Sequence, residues 1–391
     1  MRPFTCLMLI TFVESLSLAL AGIGIYFYTH EILHFTDGQN LALAMSVGTC
    51  YVLGALASHR VSNALGEKTA LITALTGQLL AHTLMVLAPD SAPVVVGGSI
   101  VFGFCGGLKW PVVESYVSAG RTPEQTARAV GHFNMAWSLA TPLGIIAAGP
   151  LIDSFEPRLL FAVAMFADLC SLAATLPLDK APEHLPADHP HRLPEDQRTR
   201  WSALLRSSRW SMAITYAVLQ IINAVLPGIF DRLGITVAVA TALAGLIHWP
   251  RFVAFLLMRY STGWHGRVGL NVLILLGIPL GFALIVAEHS LPTVLAGELV
   301  LGAVSGMTYY TALYYAMVIK NASVDAGGRH ETAIGLGLAG GPAIGLVGAK
   351  MAGLTGSQAL GMLLGTGPFL LLVTFASAWP LREAIRRRTD R

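Results

Sequence analysis

The chain of 391 residues is 54% apolar, and its 25 Lys and Arg with 22 Asp and Glu make only 12% of it charged. A typical globular domain has roughly 25% charged residues, and a soluble protein of this length would normally divide into domains joined by polar linkers. The net charge of +3, with no basic stripe interleaved with aromatic residues, argues against nucleic acid as a partner. The composition predicts a polytopic membrane protein.

Twelve apolar segments follow one another along the chain, each near the roughly 20 residues that a helix needs to cross hydrocarbon. The predicted fold class is therefore an all-α membrane protein with twelve transmembrane helices. We place the helices at residues 4–28, 41–58, 69–88, 93–118, 127–151, 159–176, 210–230, 236–258, 268–287, 291–319, 332–355 and 357–379.

The distribution of basic residues predicts the orientation, because cytoplasmic loops retain Lys and Arg. With a cytoplasmic N-terminus, 20 of the 25 Lys and Arg fall on the cytoplasmic side. We therefore expect a multi-pass protein of the plasma (cytoplasmic) membrane with both termini inside. An alternative is a signal peptide cleaved near Ala21, but Glu14 interrupts the apolar run, which continues to Tyr28.

A polar stretch at residues 179–208 separates two apolar halves, residues 1–178 and 209–391. Its histidines stand between prolines and lack the helical spacing of a metal site, so we interpret it as a cytoplasmic linker. The halves are also similar to each other. Residues 10–12 (Ile-Thr-Phe) recur as residues 214–216 (Ile-Thr-Tyr), which favours a duplication of six-helix bundles.

Twelve spans, repeated halves, a central loop and cytoplasmic termini together resemble the major facilitator superfamily, whose two halves enclose a site near the midplane of the membrane. The resemblance implies a secondary transporter with helices one, four, seven and ten around a cavity. The superfamily's motif between helices two and three is echoed by Gly54, Arg60, Gly66 and Lys68, although its aspartate is absent. By this resemblance Arg60 and Lys68 are candidate gating residues.

Charged side chains inside a span cost about 2.5–3.5 kcal/mol each on insertion scales, so they are rare and often functional. Glu14 lies eleven residues beyond Pro3, or about 16 Å along its helix, which is near the midplane. It is our candidate proton-coupling residue, with a structural hydrogen bond between helices as the alternative. Either Lys109 or Arg251 could neutralise Glu14 or hold an anionic group of a solute.

The remaining buried charges have weaker assignments. Glu114, near the cytoplasmic end of its helix, and Glu298, near the outer end of another, are candidate gating residues. Asp168 falls in the middle of the sixth span, where we expect only a buried polar contact.

Uncharged polar and aromatic side chains would supply the rest of a binding site, because a solute exchanges its hydrogen bonds with water for hydrogen bonds with protein. The alternative is that they are contacts between helices. The candidates for solute binding, beside Lys109 and Arg251, are Trp110, Asn134, Trp137, Gln220, Asn223, His248, Tyr309, Tyr310 and Tyr314.

The sequence therefore predicts alternating-access transport of a small polar or anionic organic solute, coupled to protons, by a monomer in the bilayer. We expect no enzyme activity, cofactor or metal ion, because no phosphate-binding loop, zinc motif or nucleophile elbow occurs. One alternative is an efflux antiporter for drugs or lipophilic cations, because Glu14 and Glu298 could attract cations. Others are a sensor or assembly protein that does not transport, and a membrane enzyme using His248, Arg251 and Glu14.

Overall fold

The computed structural model describes residues 3–118, 121, 123–153, 155–182, 195–261, 263–320 and 324–389. Within these ranges the regular structure is helical and forms twelve helices, as predicted. They are α1 Pro3–Glu31, α2 Asp37–Leu65, α3 Glu67–Leu87, α4 Ala92–Ser118, α5 Pro123–Asp153, α6 Leu159–Ala174, α7 Glu195–Arg232, α8 Val237–Tyr260, α9 Val268–Val286, α10 Leu291–Lys320, α11 Val324–Thr355 and α12 Gln358–Thr389.

Eleven helices in the described ranges are long and apolar enough to cross a membrane, and α6 is a shorter apolar helix of 16 residues. Several helices extend beyond the apolar segments that predicted them. Helix α7 begins at Glu195, so residues 195–208 of the predicted linker are helical, whereas residues 183–194 lie outside the described ranges. Helix α11 begins eight residues before the predicted span at 332.

The helices alternate in direction, which gives the bundle a terminal face, where α1 begins and α12 ends, and an opposite face. At the terminal face Tyr116 donates a hydrogen bond to the carbonyl of Asp179 at 2.7 Å. At the opposite face Tyr28 donates to the carbonyl of Pro89 at 2.9 Å. These contacts hold the loops of the N-terminal half (α1–α6) against its helix ends.

Helices α3, α6, α9 and α12 expose large apolar side chains. Leu84, Phe166, Leu276 and Leu371 are between 58% and 71% exposed, one on each of these helices. Such a surface would be unfavourable in water, and it suits the hydrocarbon of a bilayer. These four helices therefore present broad apolar surfaces to lipid.

Small residues bring α2 close to its neighbours in both halves. A Cβ atom placed on Gly48 would lie 2.3 Å from the carbonyl oxygen of Leu338 in α11, and one on Gly107 of α4 would lie 2.0 Å from that of Tyr51. A methyl group at either glycine would overlap the facing backbone, as expected where small residues permit close helix packing. Helix α2 is thus in tight contact with both α4 and α11.

Two helices that cross the centre of the bundle are irregular there. Residues Leu18–Ile23 of α1 form a π-helical turn, and residues Gly245–Ile247 of α8 form a 3-10 turn immediately before His248. Such interruptions re-aim side chains and are frequent at functional sites. Both interruptions lie beside the central cavity described next.

Candidate functional site

A cavity of about 190 Å³ lies between the two halves. Among the described residues its lining comes from α1, α2, α4, α5, α7, α8, α10 and α11, so both halves contribute four helices. The predicted candidates that line it are Lys109, Trp110, Glu114, Trp137, Gln220, Asn223, His248, Arg251 and Tyr309.

Glu14 of α1 and Lys109 of α4 form a buried ion pair. The Lys109 ammonium contacts the Glu14 carboxylate, and the two side chains are 1% and 0% exposed. The same ammonium lies 4.8 Å from the ring centroid of Trp110, a distance at which a cation is attracted to an aromatic face. Of the two cations expected beside Glu14, the structure therefore pairs Lys109 with it. Lys109 lines the cavity, whereas Glu14 lies behind it, outside the lining.

Arg251 of α8 lies in the cavity wall apart from that pair. Its Nε donates a hydrogen bond to the Ser305 hydroxyl at 2.9 Å, and its guanidinium lies 5.8 Å from the ring centroid of Trp137. Its Nη2 is buried and has no hydrogen-bond partner among the described residues. A buried charged donor without an acceptor is unfavourable by several kcal/mol, so this nitrogen is suited to an anionic group.

An aromatic group continues the wall beside Arg251. The rings of Phe255 and Tyr309 lie 5.2 Å and 5.1 Å from that of Trp137 in edge-on arrangements, which are favourable for aromatic pairs. Asn134, a predicted binding residue, accepts a hydrogen bond from the Trp137 indole at 3.1 Å and does not itself line the cavity. Its contact fixes the orientation of the indole.

Gln220 and Asn223 of α7, both candidates for solute binding, line the cavity. Gln220 also donates a hydrogen bond to the hydroxyl of Tyr26 at 2.6 Å. Tyr26 belongs to α1, so this bond joins the two halves, with the cavity on one side and buried apolar side chains on the other.

Glu114 of α4 faces Glu331 of α11 across the two halves, nearer the terminal face, and both line the cavity. The hydroxyl of Tyr51 donates a hydrogen bond to the Glu331 carboxylate. Sequence reasoning missed Glu331 because the predicted span began one residue after it. Hydropathy carries no signal for it, because residues 325–331 are small, polar or charged although α11 begins at Val324.

Residues 7–349 match the sequence model of a family described as the Major Facilitator Superfamily. The chain belongs to this superfamily. Among solved structures of the same fold, a POT family transporter in complex with a thioalcohol-conjugated peptide has a TM-score of 0.76 at 12% identity, covering 98% of this chain and 96% of that one. No curated protein matches the chain closely enough to count as a relative.

Two further structures extend the comparison. The nucleoside transporter NupG matches with a TM-score of 0.67 at 14% identity, over 97% of this chain and 100% of its own. The human organic anion transporter MFSD10 matches with a TM-score of 0.66 at 16% identity, over 96% and 99%. At these identities the likeness is one of fold. The chain is thus a multi-pass membrane protein of a transporter superfamily.

Several candidates of this superfamily member lie outside the cavity lining. Tyr310 packs on Trp264, with ring centroids 5.6 Å apart, and Tyr314 stacks on His265 at 4.4 Å. Glu298 is fully buried in α10, and its carboxylate oxygens have no hydrogen-bond partner among the described residues.

The two candidates taken from the superfamily's loop motif lie near the terminal face. Arg60 is exposed near the end of α2. Lys68 donates hydrogen bonds to the carbonyls of Leu176 and Leu178, at 2.9 Å and 2.8 Å, just beyond α6. A cation is well placed on the free carbonyls at a helix C-terminus, so these bonds fasten the start of α3 to the end of α6.

Asp168 of α6 forms the buried polar contact that the sequence predicted. Its Oδ2 lies 2.6 Å from Nδ1 of His82 in α3, and both side chains are fully buried. The pair lies in the N-terminal half, away from the cavity lining. It joins the two lipid-facing helices of that half.

Proposed function

We propose that the chain is a secondary active transporter that moves a small polar or anionic organic solute by alternating access and couples this movement to protons. The position of Arg251 is the observation that favours a polar or anionic solute. Its unpartnered, buried Nη2 beside the cavity offers a charged donor to a carboxylate or a similar group. Trp137 and Tyr309 next to it supply apolar surface for the rest of the molecule.

The pairing of Lys109 with Glu14 supports a mechanism for coupling. A proton bound to Glu14 cancels the charge that holds the Lys109 ammonium, and the ammonium can then attract an anion in the cavity. Proton binding and anion binding therefore favour each other, and the effect is reciprocal by linkage. This assigns the proton site to Glu14, the solute anion to Arg251, and the connection between them to Lys109.

We place this transporter in the cell's plasma membrane as a monomer, with its terminal face in the cytoplasm. The basic residues support the orientation, because most of them lie at the helix ends and connections of that face and in the C-terminal segment. The continuous apolar exposure of α3, α6, α9 and α12 fits a surface covered by lipid.

The test uses purified protein in vesicles with an imposed pH gradient. A thermal-shift screen of carboxylates, amino acids, nucleosides and organic cations first identifies a stabilising solute, because a ligand stabilises the folded state by mass action. Proton flux is then recorded with a pH-sensitive dye, with and without that solute. We expect flux that depends on the solute in the wild type and none in Glu14→Gln.

Arg251→Met tests the anion contact. A hydrogen bond to a charged group contributes roughly 1.5–3 kcal/mol to binding. Its loss should therefore raise the KM for the solute roughly 10-fold to 100-fold. The matched control is Arg259→Met, at the end of the same helix and outside the cavity lining, where Nη1 contacts the sulfur of Met135 at 3.0 Å. Its KM should remain near that of the wild type.

Three outcomes would contradict the proposal. Proton flux unchanged in Glu14→Gln removes Glu14 from the coupling mechanism. Stabilisation by organic cations alone would favour efflux of lipophilic cations. A solute that binds without any flux would favour a sensor or assembly protein.

A further inference from the structure

We propose that Glu114, His330 and Glu331 form a binding site for a divalent transition-metal ion between α4 and α11. One ligand atom from each of the three side chains lies within 4.8 Å of the other two, and all three residues are buried. This inference is independent of which solute the protein transports.

The distances suit a metal ion. Zinc binds nitrogen and oxygen ligands at about 2.0–2.2 Å in a tetrahedral arrangement, which places the ligand atoms about 3.4 Å apart. The three ligand atoms lie within 4.8 Å of one another. Rotations of the side chains that move these atoms by about 1 Å would bring them to the tetrahedral spacing. Two carboxylates and an imidazole are also a donor set that first-row divalent metals accept.

The environment of His330 favours a bound metal ion over a proton shared between the two carboxylates. Two neighbouring carboxylates can satisfy each other by sharing one proton, but that arrangement gives nothing to the histidine. The His330 side chain is 1% exposed, and its Nε2 has no hydrogen-bond partner among the described residues. A divalent cation uses all three side chains and balances the charge of both carboxylates.

The surroundings supply the other features of a metal site. Tyr51 donates a hydrogen bond to the Glu331 carboxylate, the kind of outer contact that orients a ligand. Glu114 and Glu331 line the central cavity, which gives an ion a path of entry and room for water to complete its coordination. Tyr309 packs edge-on against the His330 ring at 5.0 Å and limits its rotation.

The ligands come from different halves of the protein, Glu114 from the N-terminal half and the other two from the C-terminal half. A bound ion would therefore stabilise the conformation in which α4 and α11 are together near the terminal face. Because a metal ion at this site binds one conformation better than the other, it would shift the equilibrium toward that conformation and oppose the relative movement of the halves.

The test measures Zn²⁺ binding by isothermal titration calorimetry, with chelator-treated protein in lipid nanodiscs. We expect one Zn²⁺ per chain in the wild type, and at least a tenfold loss of affinity in His330→Asn and in Glu331→Gln. Tyr51→Phe should bind more weakly by a smaller factor. Mn²⁺ binding, followed by electron paramagnetic resonance, gives a second measurement on the wild type alone.

Glu298→Gln is the matched control, because it removes a buried carboxylate outside the cavity lining. It should bind Zn²⁺ like the wild type. Thermal unfolding without metal identifies any variant that is misfolded. The proposal is wrong if the wild type binds neither ion stoichiometrically, or if folded His330→Asn and Glu331→Gln keep wild-type affinity. Proton-coupled flux is measured separately with chelator present, so failure here leaves the transport proposal standing.

Discussion

The guanidinium of Arg232, the last residue of α7, lies 3.2 Å from the carboxylate of Asp37, the first residue of α2. Arg232 also contacts Glu288 at 2.8 Å, and Gln358 at the start of α12 donates to Asp37 at 3.1 Å. These bonds join the N-terminal and C-terminal halves at the opposite face. They tie the ends of α2, α7 and α12 together, so they oppose a separation of the halves at that face.

Asp37→Asn should make the cavity more accessible from the opposite face. The Arg232–Asp37 pair is partly exposed. Ion pairs near the surface contribute about 0.2–1 kcal/mol, so the cavity should be labelled roughly 2–5 times faster. Thr141 of α5 lines the cavity. The measurement is the reaction of Thr141→Cys with a membrane-impermeant thiol reagent, in a background whose four native cysteines are replaced by alanine. Glu156→Gln breaks an exposed pair with Arg158 at the same face but within one half, and it should leave the rate unchanged. Equal rates in both variants would contradict this role for Asp37.

His82→Leu should destabilise the protein strongly, because it leaves Asp168 buried without its partner. Breaking a buried pair costs about 3–5 kcal/mol, whereas replacing both members by apolar residues can be nearly neutral. The double variant His82→Leu with Asp168→Leu should therefore unfold at a higher temperature than His82→Leu alone. Simple additivity of the two single substitutions in thermal unfolding would refute the coupling.

Glu298→Leu should raise the melting temperature. The Glu298 carboxylate is buried with no hydrogen-bond partner among the described residues, and such a group costs about 1–3 kcal/mol. Glu298→Gln keeps a buried polar group, so its melting temperature should rise less than that of Glu298→Leu. A lower melting temperature in Glu298→Leu, together with loss of transport, would instead support the gating role that its position in the sequence predicted.

Burial lowers the pKa of His265 below its usual value of 6.5, in the loop between α8 and α9. The unfolded chain therefore binds a proton more readily than the folded protein, and this histidine reduces stability as the pH falls below about 6.5. His265→Phe keeps a ring against Tyr314. Between pH 7.5 and pH 5 this variant should lose less stability than the wild type. Melting temperatures across that range provide the measurement, and identical slopes for both proteins would disprove the effect.

The twelve helices were predictable because each apolar segment needs only its length and hydropathy to be recognised. The pairing of Glu14 with a cation was also predictable, since a charge in a span requires a partner. The choice between Lys109 and Arg251 required the packing of α1 against α4. Tyr310 and Tyr314 show a second limit, because the sequence of α10 does not indicate which side of the helix faces the cavity.

The three proposed metal ligands were beyond sequence reasoning for a different reason. Glu114 precedes His330 by more than two hundred positions, and the motifs that reveal metal sites depend on short spacing. The sequence therefore predicted no metal ion. His82 was missed as the partner of Asp168 because a neutral histidine in a span is not counted among its charges.

The contact between Gly48 and the backbone of Leu338 limits how the halves can move. A lengthwise slide is unfavourable, because it would bring Ala44 or Val52, one turn before and after Gly48 in α2, against that backbone. The two helices can still rotate relative to each other about the point of contact. The Arg232–Asp37 bond and the Glu114–Glu331 cluster then lie on opposite sides of that point, so a movement that opens one compresses the other.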